Sequence, residues 1–382
     1  MKLPHAADAL AIDWAGTRLT YAEFDAAVDA WPAPRLHEHS AHDASELAVP
    51  DALICVFAAA RQGRAVHVED PAARPERQSV PAGAWLLIGT SGSTGRSRPL
   101  ARTVQSWTDS FDEFTSITGI DGSDRVLVTG PLHATMHLFA AVHALWVGAC
   151  VTDDPRGATV AHAVPAVLRT LVETAPELRL AVVAGTTLDS GAAEGWSGAG
   201  RNDRFDRRHL RVVEYYGAAE LSLVAARVVP EPLRLLPGVD AEIRDGLLYV
   251  RSPYRVLGAD EWVCVGDLAE LGPNGDLVVR GRGDAAVDVG GTTVIAEDVE
   301  RLLDAIDGVR ASAVVGTPHT ILGATVTAVL ELDDPVVLDS VKARARAALQ
   351  KEAVPRRWVV VDRLPRTGSG KIARARVRDS LS

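Results

Sequence analysis

The sequence predicts an α/β protein with a large N-terminal domain of layered sheets and helices and a small α+β C-terminal domain. Short apolar runs typical of buried strands alternate with helical patterns over most of the chain. At 382 residues the chain is long enough for more than one hydrophobic core. The pattern changes near Arg282, so we assign residues 1–281 to the first domain and residues 282–382 to the second.

The N-terminal elements follow from periodicity and capping residues. Thr20 precedes one helical pattern, and a second helix is expected over Asp51–Gly63. Ser106 is the expected N-cap of a helix that carries three core aromatics at i, i+4, i+7 spacing, namely Trp107, Phe111 and Phe114. Further strands are expected at Ala65–Val68, Leu86–Ile88, Arg125–Val128, Leu178–Ala184, Leu210–Tyr215, Leu247–Val250 and Asp276–Val279, and further helices at His137–Trp146 and His162–Thr174.

The last hundred or so residues read as a compact module of mixed helix and strand, long enough for a small separate domain. Its expected elements are helices at Asp298–Ile306, Asp339–Lys351 and from Ile372, and strands at Ala311–Val315, Thr325–Leu332 and Trp358–Val361.

Composition describes an ordinary globular protein, with 47% hydrophobic and 24% charged residues. A formal net charge of -10 argues against nucleic acid or an anionic membrane surface as a general partner. Cys55, Cys150 and Cys264 are isolated and odd in number, which favours neither a disulfide framework nor a zinc site. Met1–Trp14 lacks the apolar core of a signal peptide, and Leu138–Val151 is too short for a membrane span. We therefore expect a cytoplasmic protein.

The most informative stretch is a loop of Gly, Ser and Thr that follows the strand Leu86–Ile88. Glycines let backbone N–H groups turn towards an anion, hydroxyls add donors, and Arg98 adds positive charge. This composition predicts a phosphate-binding loop, although a flexible surface linker is the alternative reading of the loop alone. The spacing fits neither the Walker pattern nor Gly-x-Gly-x-x-Gly.

This loop and five stretches downstream of it resemble motifs of the adenylate-forming superfamily, and they occur in the order that the family has. The superfamily comprises acyl-CoA synthetases, adenylation domains of peptide synthetases and luciferases. The resemblance implies that the small domain is mobile. About 85 residues precede the phosphate loop, fewer than the family usually has, so it also implies a trimmed N-terminal subdomain. The matching stretches are Thr90–Arg98, Ala184–Leu188, Tyr216–Glu220, Val265–Asp267, Gly281–Glu300 and Leu364–Ile372.

The resemblance implies a binding site for ATP. A tyrosine ring packs on the adenine, an aspartate carboxylate accepts hydrogen bonds from both ribose hydroxyls, and an arginine contacts ribose or phosphate. The residues that match these and the remaining nucleotide-binding positions are Thr90, Ser91, Gly92, Ser93, Thr94, Gly95, Arg98, Gly185, Thr186, Tyr216, Gly217, Asp267 and Arg282.

Lys371, Glu220 and Arg282 are the catalytic residues that the resemblance implies. Glu220 would hold Mg²⁺, a hard cation that takes carboxylate and phosphate oxygens together. Lys371 is one of only four lysines in the chain, and it ends a Gly/Ser loop before a helix. Its ammonium would stabilise charge that develops between the attacking oxyanion and the α-phosphate. Asp284 would be the hinge about which the small domain rotates.

The acid-binding pocket is assigned to His133, His137, Tyr215 and Gly217, because Pro131–His137 resembles the family segment that borders the acyl group. A metal pair is the alternative reading of two histidines at i, i+4 spacing, but no third ligand stands nearby in the sequence.

Several positions depart from the family pattern, and they bear on the substrate and the acceptor. Ala219 and Val265 replace threonines, so two hydroxyl groups are missing beside the nucleotide. Asp288 replaces a lysine in the region that helps form the site of the second half-reaction, which leaves the acceptor open. Ala134 occupies the place of a family histidine.

The leading hypothesis is an ATP- and Mg²⁺-dependent ligase that converts a small acid into an acyl-AMP and transfers it to a nucleophile, with CoA as the favoured acceptor. Three alternatives stay open. The acceptor could be a carrier protein or an amine; the enzyme could be a biosynthetic diazotase that activates nitrite for attack by an aryl amine; or the chain could be a non-enzymatic relic that binds nucleotide. The retained Glu220, Asp267 and Lys371 argue against the last.

Overall fold

The computed structural model describes residues 3, 6–33, 41–72, 74, 79–89, 99–184, 188, 210–282, 285–289, 292–319, 323–367 and 370–381. The chain forms two compact units, which we call the large unit (Met1–Asp240 with Val250–Val263) and the small unit (Ala241–Tyr249 with Cys264–Ser382). The boundary that the sequence suggests between residues 281 and 282 stays a prediction.

The large unit contains a sheet of nine described strands whose centre is parallel. In spatial order the strands run β13-β12-β11-β10-β9-β7-β8-β1-β2. Neighbours from β11 to β1 are parallel, and the strands beyond them at both edges are antiparallel. Their bounds are β1 Leu10–Trp14, β2 Thr17–Thr20, β7 Arg125–Val128, β8 Cys150–Thr152, β9 Val160–Ala163, β10 Leu180–Val183, β11 Arg211–Ala218, β12 Ser222–Val228 and β13 Arg234–Leu235.

A second sheet of the large unit contains the strands that flank the predicted phosphate loop. Its order is β3-β4-β5-β6, and only the β5–β6 pair is antiparallel, with Leu86 opposite Arg102. The chain therefore leaves and re-enters this sheet on either side of residues 90–98. The strands are β3 His42–Asp43, β4 Val66–Val68, β5 Leu86–Gly89 and β6 Pro99–Arg102.

Helices cover the sheets of the large unit with buried apolar side chains. Thr20 and Glu23 form a capping box at the start of α1, as the sequence suggested for a helix beginning there. The aromatic rings of Phe24 and Phe57 meet edge to face at 5.4 Å between centroids. The helices are α1 Tyr21–Ala30, α2 Val49–Gln62, α3 Gln105–Thr108, α4 Phe111–Thr118, α5 Thr135–Val147 and α6 Pro165–Thr174.

Two local predictions in the large unit are wrong. Ser106 is not a helix cap: it lies inside α3, its hydroxyl donates to the carbonyl of Thr103, and the Thr103 hydroxyl accepts its N–H. The helix expected to begin at His162 begins instead at Pro165, because His162 lies in β9, which pairs with parallel strands on both sides. The expectation that Trp107, Phe111 and Phe114 belong to the core is confirmed.

The small unit includes most of a four-stranded sheet and a sheet of five described strands. The first has the order β14-β15-β16-β17, and in the second β21 pairs with β18, β20 and β22. The strands are β14 Asp240–Arg244, β15 Leu247–Arg251, β16 Val263–Leu271, β17 Leu277–Arg282, β18 Ala286–Val289, β19 Thr292–Ile295, β20 Val309–His319, β21 Gly323–Leu332 and β22 Arg357–Val360.

Both faces of the five-stranded sheet are covered by helices. Successive side chains of a strand point to opposite faces, so Val314 packs in one core while Ala313 and Val315 pack in another. The first core includes residues of α7 and α8, and the second includes Val377 of α9. The helices are α7 Ala296–Asp304, α8 Leu338–Ala348 and α9 Arg374–Asp379. This mixed architecture confirms the predicted α/β class.

Within the described part of the chain, no helix combines the length and the apolar character that a membrane span requires.

Candidate active site

Several predicted site residues of the large unit lie at or just beyond the carboxyl ends of strands in its parallel sheet. Tyr215, Tyr216 and Gly217 occupy the end of β11, while His133 and His137 follow β7. The carboxyl ends of neighbouring parallel strands face the same edge, which is where ligands bind in sheets of this kind. The structure thus places both groups at the carboxyl ends of strands of one sheet, with β10 and β9 between β11 and β7.

The turn that carries Glu220 requires a glycine before it. A β-bulge falls between Tyr216 and Gly217 where β11 pairs with β12. A Cβ atom added at Gly217 would lie 2.2 Å from the carbonyl oxygen of Ser222, far inside van der Waals contact. Further along the turn, the carbonyl of Glu220 accepts the Val256 N–H at 2.9 Å. The main chain around Glu220 is therefore fixed by close packing on one side and a hydrogen bond on the other.

Arg102, which the sequence analysis did not select, anchors the same turn. Its side chain is 1% exposed, and its guanidinium donates to the carbonyl oxygens of Ala219 at 2.6 Å and Tyr254 at 2.7 Å. Burial lowers the pKa of Arg102 to about 9, against an opposing effect of the Glu220 carboxylate. The sequence signal was an arginine at the end of an otherwise apolar strand directly after the predicted phosphate loop.

Glu220 has the chemistry that a magnesium ion requires. Its side chain is partly exposed, as a ligand that faces a nucleotide must be. The residues that the structure describes include no group of three His, Cys, Asp or Glu side chains able to hold a metal by themselves. Mg²⁺ commonly takes one or two carboxylates and completes its shell with water and substrate phosphates. Glu220 fits that role, and the ion when bound would neutralise phosphate charge.

The predicted acid pocket contains one partly buried and one fully buried histidine, His133 and His137. His137 is 3% exposed, and its Nε2 lies 2.3 Å from where a Cβ of Gly130 would stand. Burial and the neighbouring His133 lower the pKa of His137 to about 4, so this ring is neutral at pH 7. His133 precedes α5 and lies 3.9 Å from an Asp70 carboxylate oxygen, so the two histidines do not share a helix.

Tyr215 completes the described part of this pocket. It is buried, its ring meets the edge of Phe114 at 6.3 Å, and burial raises the pKa of its hydroxyl.

In the small unit, two predicted nucleotide-binding residues stand opposite each other. Asp267 of β16 pairs with Arg282 of β17 in the antiparallel register. Asp267 is 8% exposed. Next to Arg282, Gly281 has a φ of +133°, and a Cβ there would lie 2.5 Å from a carboxylate oxygen of Glu297. Glycine is required at this position both for its backbone conformation and for the close approach.

Lys371 is exposed at the end of a loop whose base is firmly held. The Thr367 N–H donates to the Lys371 carbonyl at 2.7 Å, and the Ala373 N–H donates to the Pro365 carbonyl at 2.8 Å. Leu364 before the loop and Ile372 after it pack in the small unit's second core. This construction presents a long cationic side chain to solvent from a fixed backbone, which suits a residue that must reach a substrate.

The remaining predicted site residues lie outside the described residues. They are Thr90, Ser91, Gly92, Ser93, Thr94, Gly95 and Arg98 of the phosphate loop, Gly185 and Thr186, and the hinge residue Asp284.

Comparison with known proteins decides the family. Residues 298–371 match the AMP-binding enzyme C-terminal domain. An uncharacterized acyl–CoA ligase of Bacillus subtilis is 29% identical over 360 residues, covering 82% of this chain and 72% of the relative. The fold matches ATP-bound MatB from Rhodopseudomonas palustris with a TM-score of 0.82 at 22% identity, covering 98% of this chain and 96% of that one. The chain belongs to the adenylate-forming superfamily.

Membership of the adenylate-forming superfamily confirms the resemblance seen in the motifs and makes the protein an AMP-forming ligase. A further relative is a medium/long-chain-fatty-acid–[acyl-carrier-protein] ligase of Mycobacterium tuberculosis, 30% identical over 158 residues. That match covers 36% of this chain and only 29% of the relative. The roles of individual site residues stay predictions.

Proposed function

We propose that this adenylate-forming enzyme activates a small acid with ATP and transfers the acyl group to the thiol of CoA. The observation that carries the proposal is the turn from Tyr216 to Glu220, which packing and hydrogen bonds fix at the ligand-binding edge of the parallel sheet. Such a turn offers a carboxylate for Mg²⁺ beside an aromatic ring for a base.

In the first step a carboxylate oxygen attacks the α-phosphorus of ATP. The bond from that phosphorus to the bridging oxygen breaks, and pyrophosphate leaves with the electron pair. The step needs alignment and neutralisation of charge more than covalent help from the protein. Lys371 supplies a mobile positive charge for the α-phosphate, and Glu220 supplies the ligand for Mg²⁺.

In the second step a thiolate attacks the acyl carbon of the acyl-AMP, and AMP leaves. CoA is favoured as the thiol because a relative that this chain covers over 72% of its length is named an uncharacterized acyl–CoA ligase. A carrier-protein thiol is the second candidate, supported by the shorter match to an acyl-carrier-protein ligase.

The test is a panel of small acids, nitrite included, scored by conversion of ATP to AMP and pyrophosphate. We expect AMP formation that depends on at least one acid. Lys371→Ala should lower the rate by about 10²–10³-fold, as expected for loss of a group that stabilises the transition state. Lys351→Ala, which removes another exposed lysine of the small unit, is the matched control and should leave the rate unchanged.

Formation of AMP that is independent of every acid, or equal in Lys371→Ala and the control, contradicts the proposal. The acceptor is then identified by adding CoA, carrier protein or amine to the acid that reacts. Consumption of the acyl-AMP by carrier protein or amine alone would replace CoA as acceptor, and turnover with nitrite and an aryl amine alone would replace the acyl ligase by a diazotase.

A further inference from the structure

The loop that carries Lys371 leads directly into a helix whose first residue is held by two carboxylates. Only Ile372 and Ala373 separate Lys371 from α9, which begins at Arg374. The Ile372 side chain packs in the small unit's second core, and the Ala373 N–H donates to the carbonyl of Pro365 at 2.8 Å. A displacement of Arg374 would therefore reach Lys371 through two residues that are themselves held in place.

The guanidinium of Arg374 joins two glutamates of α7. It donates to Oε1 of Glu297 at 2.8 Å and to Oε2 of Glu300 at 2.6 Å, with a longer third bond to Oε1 of Glu300 at 3.3 Å. Glu297 and Glu300 are three positions apart, so successive turns of the helix present both carboxylates to the same side. Because a guanidinium is planar and rigid, pairing with two carboxylates fixes its orientation as well as its position.

Both glutamates have a second contact inside the small unit. The Glu300 side chain is 14% exposed, and its Oε1 also accepts the Val314 N–H of β20 at 2.6 Å. The Glu297 carboxyl packs against the main chain of Gly281, where a Cβ would lie 2.5 Å from Oε2 and 2.6 Å from Cδ. Gly281 and Arg282 are the last residues of β17. The Glu297 carboxylate therefore lies against the strand end that carries Arg282.

These contacts connect the two predicted catalytic residues of the small unit, Lys371 and Arg282. The connection runs from Lys371 through Arg374 to Glu297, and from Glu297 to the main chain beside Arg282. The side chains of Arg374 and Glu297 are 25% and 24% exposed, so water screens this pair less than it screens a pair on an open surface. A pair that served stability alone would have the same effect whether or not Lys371 is present.

We propose that Arg374 is a positioning residue for the adenylation step, and that its ion pairs with Glu297 and Glu300 set the direction in which Lys371 extends from the small unit. In this role Arg374 acts through the lysine and makes no contact with the reacting atoms. This inference rests on the proposed function, from which it takes the role of Lys371.

A double-mutant cycle separates positioning from stability. Pyrophosphate release in a single turnover at saturating ATP and acid is measured for the wild type, Arg374→Met, Lys371→Ala and the double variant. The rates are measured at pH 8, above the pKa of about 7 to which burial raises Glu300, so that most of its carboxylate is charged. Arg374→Met should lower the wild-type rate by roughly 10–100-fold, because a small displacement of a group that acts at the reacting atoms is costly.

In the Lys371→Ala background the same substitution should change the rate by less than about 2-fold, since the effects of residues that act as a unit do not add. Arg374→Lys should recover part of the lost rate, because an ammonium can pair with a glutamate but lacks the planar fork that holds two. Arg376→Met is the matched control. Arg376 is exposed on the same helix, and its replacement should leave the rate unchanged in both backgrounds.

An equal loss in both backgrounds, or no loss in Arg374→Met, overturns the inference while the ligase activity stands. Should thermal unfolding show that Arg374→Met does not fold, the same cycle with Arg374→Lys decides the matter. A loss of at least about 3-fold that disappears in the Lys371→Ala background then supports the inference, and any other result overturns it. A wild type that releases no pyrophosphate with any acid, or a Lys371→Ala variant as fast as the wild type, contradicts the proposed function itself.

Discussion

Arg102 donates a hydrogen bond to the carbonyl oxygen of Ala219, the residue directly before Glu220, at 2.6 Å. Arg102 ends the strand that follows the predicted phosphate loop, and 117 positions separate it from Ala219 in the chain. The same guanidinium holds the carbonyl of Tyr254. One buried side chain thus joins the strand that follows the predicted phosphate loop to the turn that would bind the metal.

Replacing Arg102 should weaken both the fold and the use of Mg²⁺. Arg102→Met leaves the carbonyls of Ala219 and Tyr254 without their donor, at a cost of about 1–3 kcal/mol each, partly offset because a buried charge is removed. We expect the Mg²⁺ concentration for half-maximal activity to rise about 10-fold, since 1.4 kcal/mol of displaced ligand corresponds to a factor of 10. Magnesium titrations of activity and thermal unfolding curves measure the two effects.

Arg102→Lys should recover part of the Mg²⁺ affinity, because an ammonium can still donate to one carbonyl. Arg255→Met is the control, since Arg255 donates to the carbonyl of Ser252 in the same unit. An unchanged Mg²⁺ requirement in Arg102→Met would show that Arg102 serves the fold alone.

Glu220→Gln should raise the Mg²⁺ requirement directly. The amide keeps the size of the side chain but loses the charge that a hard cation prefers. We expect an increase of about 10-fold or more in the Mg²⁺ concentration for half-maximal AMP formation, measured at saturating ATP and acid. Glu231→Gln changes an exposed carboxylate of the same unit and serves as the control. Identical magnesium curves for the two variants would remove Glu220 from the metal site.

Gly217→Ala should distort the turn. The added Cβ would stand 2.2 Å from the main-chain carbonyl of Ser222, which cannot move aside as a flexible side chain could. We expect a loss of about 1–3 kcal/mol in stability and a larger relative loss in kcat/KM for ATP. In Gly122→Ala the nearest atom would be 3.5 Å away, an ordinary contact, so this control should behave as the wild type. Wild-type kinetics in Gly217→Ala would show that the turn tolerates displacement.

Glu300 gives the small unit a measurable pH dependence. Burial raises the pKa of Glu300 to about 7, although Arg374 and the Val314 N–H oppose the shift and Glu297 adds to it. The folded protein therefore holds a proton that the unfolded chain releases at the ordinary glutamate pKa of 4.5. The stability from this proton is complete below the unfolded pKa and is lost as pH rises towards the folded pKa.

Glu300→Gln, which cannot titrate, isolates this contribution. The free energy of unfolding of the wild type relative to the variant should fall by roughly 1–3 kcal/mol between about pH 4.5 and pH 7.5. Denaturant unfolding at several pH values provides the measurement. A difference that is constant, or that grows with pH, would mean that Arg374 and not burial controls the carboxyl.

Two candidate motifs could be recognised from the sequence because the residues of each are close together in the chain. The Tyr216–Glu220 turn and the Lys371 loop are each contained in a short stretch, and the structure places both at the ends of elements that the periodicity had located. The α/β class followed from alternation of strands and helices, which depends on neighbouring residues and not on distant contacts.

What the sequence concealed depended on distant partners. Arg102 lies in a four-residue strand, and its partners are 117 and 152 positions away, so its place after an apolar strand could mark the residue but not the carbonyls that it binds. His162 belongs to a short apolar run that periodicity cannot assign to helix or strand, and pairing with β7 and β10 decided the outcome. The Ser106 cap failed because the neighbouring Thr103 hydroxyl accepts the helix N–H instead.

The most direct test of the account follows the oxygen atoms of the acid. An acid that supports AMP formation is labelled with oxygen-18 in its carboxylate and incubated with ATP, Mg²⁺ and the acceptor that consumes the acyl-AMP. Attack of the carboxylate on the α-phosphorus predicts that the released AMP carries one labelled oxygen, detected by mass spectrometry. Unlabelled AMP, or release of ADP in place of AMP, would contradict activation through an acyl-adenylate.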